Sequence, residues 1–163
     1  MTSEDLGKRR ITLIGNAADS TLNFRAPLIA DLVAAGCLVE VLAPDWRPEH
    51  WDHLDRLRAH GGTFPLARTG LTPFKDLRTV AALYRHLRRS RPQIVFTYTA
   101  KPNIWGILAA ALARVPRRVA MVAGLGFAFT KSPDAPFSLK RTLLRWLLTF
   151  LYRLALPLAH VVV

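Results

Sequence analysis

The chain has 163 residues, 51% of them hydrophobic, with a single cysteine and a formal charge of +12 at pH 7. That length fits one domain with a sizeable core, and the composition excludes a disordered or disulfide-stapled chain. Residues 1–74 carry 8 basic and 9 acidic side chains, whereas residues 75–163 carry 15 basic ones against Asp76 and Asp134 alone, so the second half is expected to face something anionic.

Met1–Arg10 is polar and Ile11–Ile14 is too short for the apolar core of a secretory leader. The apolar run Ile11–Gly15 predicts a strand, and Leu22–Ala35 follows with helical spacing before Gly36. Leu38–Ala43 is the second strand, ended by Pro44-Asp45. Glu49–His60 reads as a polar helix stopped by Gly61-Gly62, and Thr63–Leu66 as a short third strand. This β-α-β-α-β pattern predicts an α/β fold: an open parallel sheet with helices on both faces.

After a loop at Arg68–Pro73, Lys75–Arg91 predicts a helix burying Leu77, Val80, Ala81, Tyr84 and Leu87. The strand Ile94–Thr97 follows, then a helix from Pro102 to about Arg114, with proline in its first turn. Val119–Val122 is the next strand, running into a loop that carries Gly124 and Gly126. Leu139–Leu156 is the last helix, and His160–Val163 opens a strand without its closing loop and helix, which predicts a truncated gene product or an excised fragment of a longer protein. No segment reaches the roughly 18 uninterrupted apolar residues of a membrane span. With its lone thiol, the chain is expected to be cytoplasmic.

Ligands of open parallel sheets bind beyond the carboxyl ends of the strands. Thr99, Lys101 and Asn103 fall at such a point, where the bland alternative is helix capping and a solvated lysine. Asn23 and Arg25 are expected in the first turn of the first helix, donating hydrogen bonds into the cleft; Arg25 offers a planar fork for phosphate or carboxylate, against an ordinary helix start with Phe24 in the core. Gly15 and the pair Gly124-x-Gly126 fail the dinucleotide fingerprint, and no Walker lysine motif is present, so no cofactor is expected. The five histidines show no metal spacing, and no nucleophile triad is read; catalytic residues stay unassigned. In the last helix, Lys140, Arg141, Arg145 and Arg153 flank Trp146 and a leucine-rich surface, which fits either an anionic membrane face or a core helix with snorkelling arginines.

Four stretches carry a family resemblance: Asn23–Leu28, Gly70–Leu77, Thr97–Asn103 with Gly106, and Gly124–Phe129. Together they make the chain similar to the N-terminal, acceptor-side domain of family 4 glycosyltransferases, most of all those acting on undecaprenyl-diphosphate-linked saccharides in capsule, O-antigen or N-glycan assembly. The resemblance implies a Rossmann-like half of a GT-B fold over residues 1–163 that binds the lipid-linked acceptor on the inner face of the plasma membrane. A second half, which this chain lacks, would bind the nucleotide-sugar donor, and transfer of a hexose or N-acetylhexosamine would proceed with retention and without a metal. Without that half the 163 residues are expected not to catalyse transfer. Asn16, Asn23, Arg25, Thr99, Lys101 and Asn103 would line the cleft, with Gly124 and Gly126 admitting a phosphate. A non-catalytic docking subunit of a split transferase is the alternative. A nucleic-acid-binding module rests on charge alone, and no nucleic acid partner is expected.

Overall fold

The first strand, β1 (Arg10–Ile14), has its last four side chains buried on both faces, the signature of a central strand in a parallel sheet. In the computed structural model, residues 9–67, 72–122 and 139–163 are described, with side chains of the last segment described from Trp146 onward. The elements after β1 are α1 (Ala18–Ala34), β2 (Leu38–Leu42), α2 (Pro48–Leu57), β3 (His60–Gly62), α3 (Pro73–Ser90) and β4 (Ile94–Tyr98). A π turn (Pro102–Gly106), α4 (Ile107–Leu112), β5 (Arg117–Met121), α5 (Leu139–Ala155) and β6 (Val161–Val162) complete the described chain.

The six strands lie in the order β3-β2-β1-β4-β5-β6, with every pairing parallel. Leu13 stands between Val41 and Phe96 in register. The chain builds outward from β1 to β3 and then returns to place β4 on the other side of β1. In open parallel sheets, ligands bind beyond the carboxyl ends of the strands at such a reversal, which here is the edge formed by β1 and β4.

Two apolar layers hold helices against the two faces. On one, Val80, Leu83 and Leu87 of α3 and Ala109 and Ala110 of α4 cover Ile14, Leu42 and Val95. On the other, Leu22 and Ile29 of α1 and Leu54 of α2 cover Ile11, Leu13, Val39 and Val41. A third cluster packs Leu148, Tyr152 and Ala155 of α5 against Ile104 in the π turn. No helix among the described residues is long and apolar enough to cross a membrane.

Two expectations are corrected. The third strand is His60–Gly62 and not Thr63–Leu66. Arg58 takes the left-handed conformation (φ 55°) and ends α2 early, so the chain enters the sheet with Gly61 and Gly62 inside the strand. Side chains of Trp51, Leu54 and Leu42 fill the space their Cβ atoms would need. Secondly, α3 is rotated from the expected face: Asp76, Thr79, Val80, Leu83 and Leu87 are buried, while Leu77 is 67% exposed. Polar contacts set that rotation, because the Thr79 hydroxyl donates to the Pro65 carbonyl at 2.7 Å and Asp76 accepts from Lys101 in the turn after β4.

Candidate functional site at the carboxyl edge of the sheet

The turn after β1 is closely packed. Gly15 is buried and donates its N–H to the Leu42 carbonyl at 2.9 Å, and a Cβ at Gly15 would land on the Tyr98 and Thr21 hydroxyls. The glycine is therefore required for packing. Asn16 follows it, half-buried on the loop. Ala17 caps α1 without a side-chain bond, and Asp45 from the β2–α2 loop accepts the Ala18 N–H at 2.8 Å. Asp19 lies in the same first turn. Its carboxyl is held below the usual range by the hydrogen bond to His50, with Arg47 adding to the effect against desolvation. Carboxylates thus already answer the positive end of this helix, which leaves little attraction there for an incoming anion.

At the end of β4, Tyr98 is buried and its hydroxyl pairs with that of Thr21. Burial pushes its pKa up to about 12, the Thr21 bond opposing. The Arg25 guanidinium lies 5.1 Å from the centre of the Tyr98 ring. It also donates to the Phe24 carbonyl at 2.9 Å and approaches the Met121 sulfur at 3.3 Å, while its Nε is buried without a partner. No carboxylate pairs with Arg25 among the described residues. Arg25 belongs to the second turn of α1, since the helix begins at Ala18, and its neighbours Asn23 and Phe24 are exposed. Phe24, at 70% exposure, is no core residue.

Thr99 has φ 70°, a left-handed conformation costly for a β-branched residue, and its hydroxyl is buried without a partner. Lys101 Nζ donates to Asp76 Oδ1 at 3.0 Å, with 10% of the lysine side chain and 4% of the aspartate side chain exposed. Asn103 is wholly buried; its Oδ1 accepts from the Thr97 hydroxyl at 2.7 Å and its Nδ2 donates to the Met121 carbonyl at 2.8 Å. Arg25, Thr99 and Tyr98 therefore meet at one edge. Lys101 and Asn103 spend their polar groups on the protein itself.

Gly124 and Gly126 lie outside the described residues, as do the side chains of Lys140, Arg141 and Arg145. On α5, Trp146, Leu147, Phe150 and Leu154 are exposed, with Arg153 exposed beside them. Tyr152 points inward, and burial raises its pKa against the neighbouring Asn103 amide. Sequence reasoning missed Asp45, Tyr98 and Asp76 as parts of this edge. Only Asp76 carried a visible signal, as one of two acids in a strongly basic half.

Residues 10–156 match the family model described as Glycosyl transferase 4-like. The chain is 31% identical over 151 residues to the N,N'-diacetylbacillosaminyl-diphospho-undecaprenol alpha-1,3-N-acetylgalactosaminyltransferase of Campylobacter jejuni, a match covering 93% of the chain and 38% of that relative. Among solved structures, MurG of Acinetobacter baumannii superposes with a TM-score of 0.57 at 18% identity, covering 72% of this chain and 37% of that one. A putative UDP-N-acetylglucosamine 2-epimerase of Listeria monocytogenes does so with 0.61 at 15% identity, covering 96% and 39%. At such identities the structural likeness shows the fold, which transferases and epimerases share.

Proposed function

This chain belongs to the glycosyl transferase 4-like family, and from that premise we propose that it is the acceptor-side half of a glycosyltransferase acting on an undecaprenyl-diphosphate-linked saccharide. The carrying observation is its similarity, over 93% of its length, to a transferase named for such an acceptor. The chain spans 38% of that relative, so the nucleotide-sugar donor is assigned to a second α/β domain, on the same polypeptide or another. A hexose or N-acetylhexosamine is transferred with retention, without a metal.

The geometry supports a particular placement of the acceptor. Its diphosphate lies at the carboxyl edge of β4 and β5 against Arg25, whose guanidinium has a buried unpaired Nε and no carboxylate partner among the described residues. Thr99 offers a hydroxyl at the same edge, and Asn16 and Asn23 of the β1–α1 side are assigned to the same acceptor, as are Gly124 and Gly126, which lie outside the described residues. The saccharide extends toward the β1–α1 side, where Asp19 and Asp45 can accept hydroxyl hydrogen bonds. The exposed row Trp146, Leu147, Phe150 and Leu154 with Arg153 rests on the anionic inner face of the membrane. Lys140, Arg141 and Arg145, whose side chains lie outside the described residues, are assigned to the same contact from the basic character of the helix sequence.

Co-sedimentation tests this reading, using anionic vesicles with and without an undecaprenyl-diphosphate-linked saccharide. Binding strengthened by the lipid-linked saccharide, and returned to the plain-vesicle level by Arg25→Met, is the expected result. Equal binding to both kinds of vesicle would refute it.

A further inference from the structure

The Thr97–Asn103 turn is held from two sides. From the sheet, Asn103 bridges the Thr97 hydroxyl and the Met121 carbonyl. From α3, Asp76 holds Lys101 at 3.0 Å with one oxygen and accepts the Thr72 N–H at 3.1 Å with the other. The Asp76 N–H in turn donates to the Thr72 carbonyl at 2.9 Å, so the carboxylate is built into the first turn of α3. Between these two anchors sits Thr99 at φ 70°, with its carbonyl accepting the Asn103 N–H at 3.0 Å. A strained residue of this kind persists only where its surroundings over-determine it.

Lys101 is a poor candidate for receiving a phosphate. Its charge is already neutralised, and an ion pair this deeply buried is broken only by leaving a charge uncompensated. We infer that Asp76 and Lys101 form a latch between the start of α3 and the β4 turn, and that both are positioning residues holding Thr99 at the cleft. Two stretches that carried the family resemblance, Gly70–Leu77 and Thr97–Asn103, are thereby joined by one bond between residues 25 positions apart. The consequence for acceptor binding rests on the function proposed above; the latch itself does not.

The sign of Asp76→Asn separates the two roles of the lysine. A lysine that contacts phosphate directly would be freed by D76N, and binding would hold or tighten. A latch predicts that D76N and K101M weaken binding of the undecaprenyl-diphosphate saccharide in vesicles alike, by about 10–100-fold through misplacement of the site. It also predicts that the double variant is no weaker than the worse single one, and that K101R, which keeps the charge that pairs with Asp76, retains most of the binding. Amide exchange supplies the reading that needs no ligand: the amides of the 99–103 turn, above all the Asn103 N–H bonded to the Thr99 carbonyl and with Pro102 contributing none, should exchange faster in D76N and in K101M, while β4 stays protected. Unchanged exchange in the turn, or binding tightened by D76N, would overturn the latch. If the wild-type protein binds no lipid-linked saccharide, the functional reading fails and exchange alone decides. Should either single variant fail to fold, the double variant leaves no buried charge, and faster exchange at 99–103 than in wild type is then expected; equal exchange would overturn it.

Discussion

Replacing Asn103 with alanine isolates a group that serves either the fold or a ligand. The side chain is wholly buried and uses its amide twice, accepting from Thr97 and donating to the Met121 carbonyl. Its loss is unequal at the two ends. The Thr97 hydroxyl has the Val119 carbonyl 3.3 Å away as a second acceptor, and can turn to it. The Met121 carbonyl loses its side-chain donor at the end of β5. One buried group left without its partner costs about 1–3 kcal/mol, and the vacated amide volume adds to that. For a domain of this size each kcal/mol lowers Tm by about 2–4 °C. Urea unfolding of the ligand-free protein measures the loss directly, with an unchanged m-value showing that unfolding still exposes the same surface. A destabilisation below about 0.5 kcal/mol would refute the reasoning and return Asn103 to the cleft as a ligand contact.

Gly15→Ala forces a methyl onto the Tyr98 and Thr21 hydroxyls, and overpacking of this kind should cost about 1–3 kcal/mol in the same unfolding assay; a neutral variant would show that the turn after β1 yields freely. His86 has a raised pKa because Glu40 accepts its hydrogen bond, with burial and Arg89 opposing. A folded value above the unfolded one means that the stabilisation is complete below about pH 6.5 and is lost as pH rises through the raised value. The denaturation midpoint should therefore fall more steeply with rising pH in wild type than in His86→Gln, and parallel profiles would count against the pair. Trp146→Ser and Phe150→Ser remove exposed rings, so Tm should stay nearly constant while partitioning into anionic vesicles drops by about tenfold each. Undiminished partitioning would place the membrane contact elsewhere.

Much of the architecture follows from local chemistry. The short apolar runs at Ile11–Ile14, Leu38–Leu42 and Ile94–Thr97 read as largely buried strands, and the helical periodicity between them predicts parallel crossovers. The position of the cleft follows too, because the polar stretch after β4 stands at a carboxyl end whatever the packing. What the sequence could not decide is how each helix turns about its axis and which charge meets which. α3 carries apolar residues at both Leu77 and Val80, so periodicity alone admits either face, and long-range bonds from Thr79 to Pro65 and Asp76 to Lys101 select one. Lys101 and Arg25 read alike as free cations in the sequence. Tertiary packing buries Asp76 against the first, whereas the second meets the Tyr98 ring, the Met121 sulfur and the Phe24 carbonyl but no carboxylate among the described residues. A charge becomes available to a ligand only where the fold supplies it no counterion, and that is a property of contacts made between residues distant along the chain.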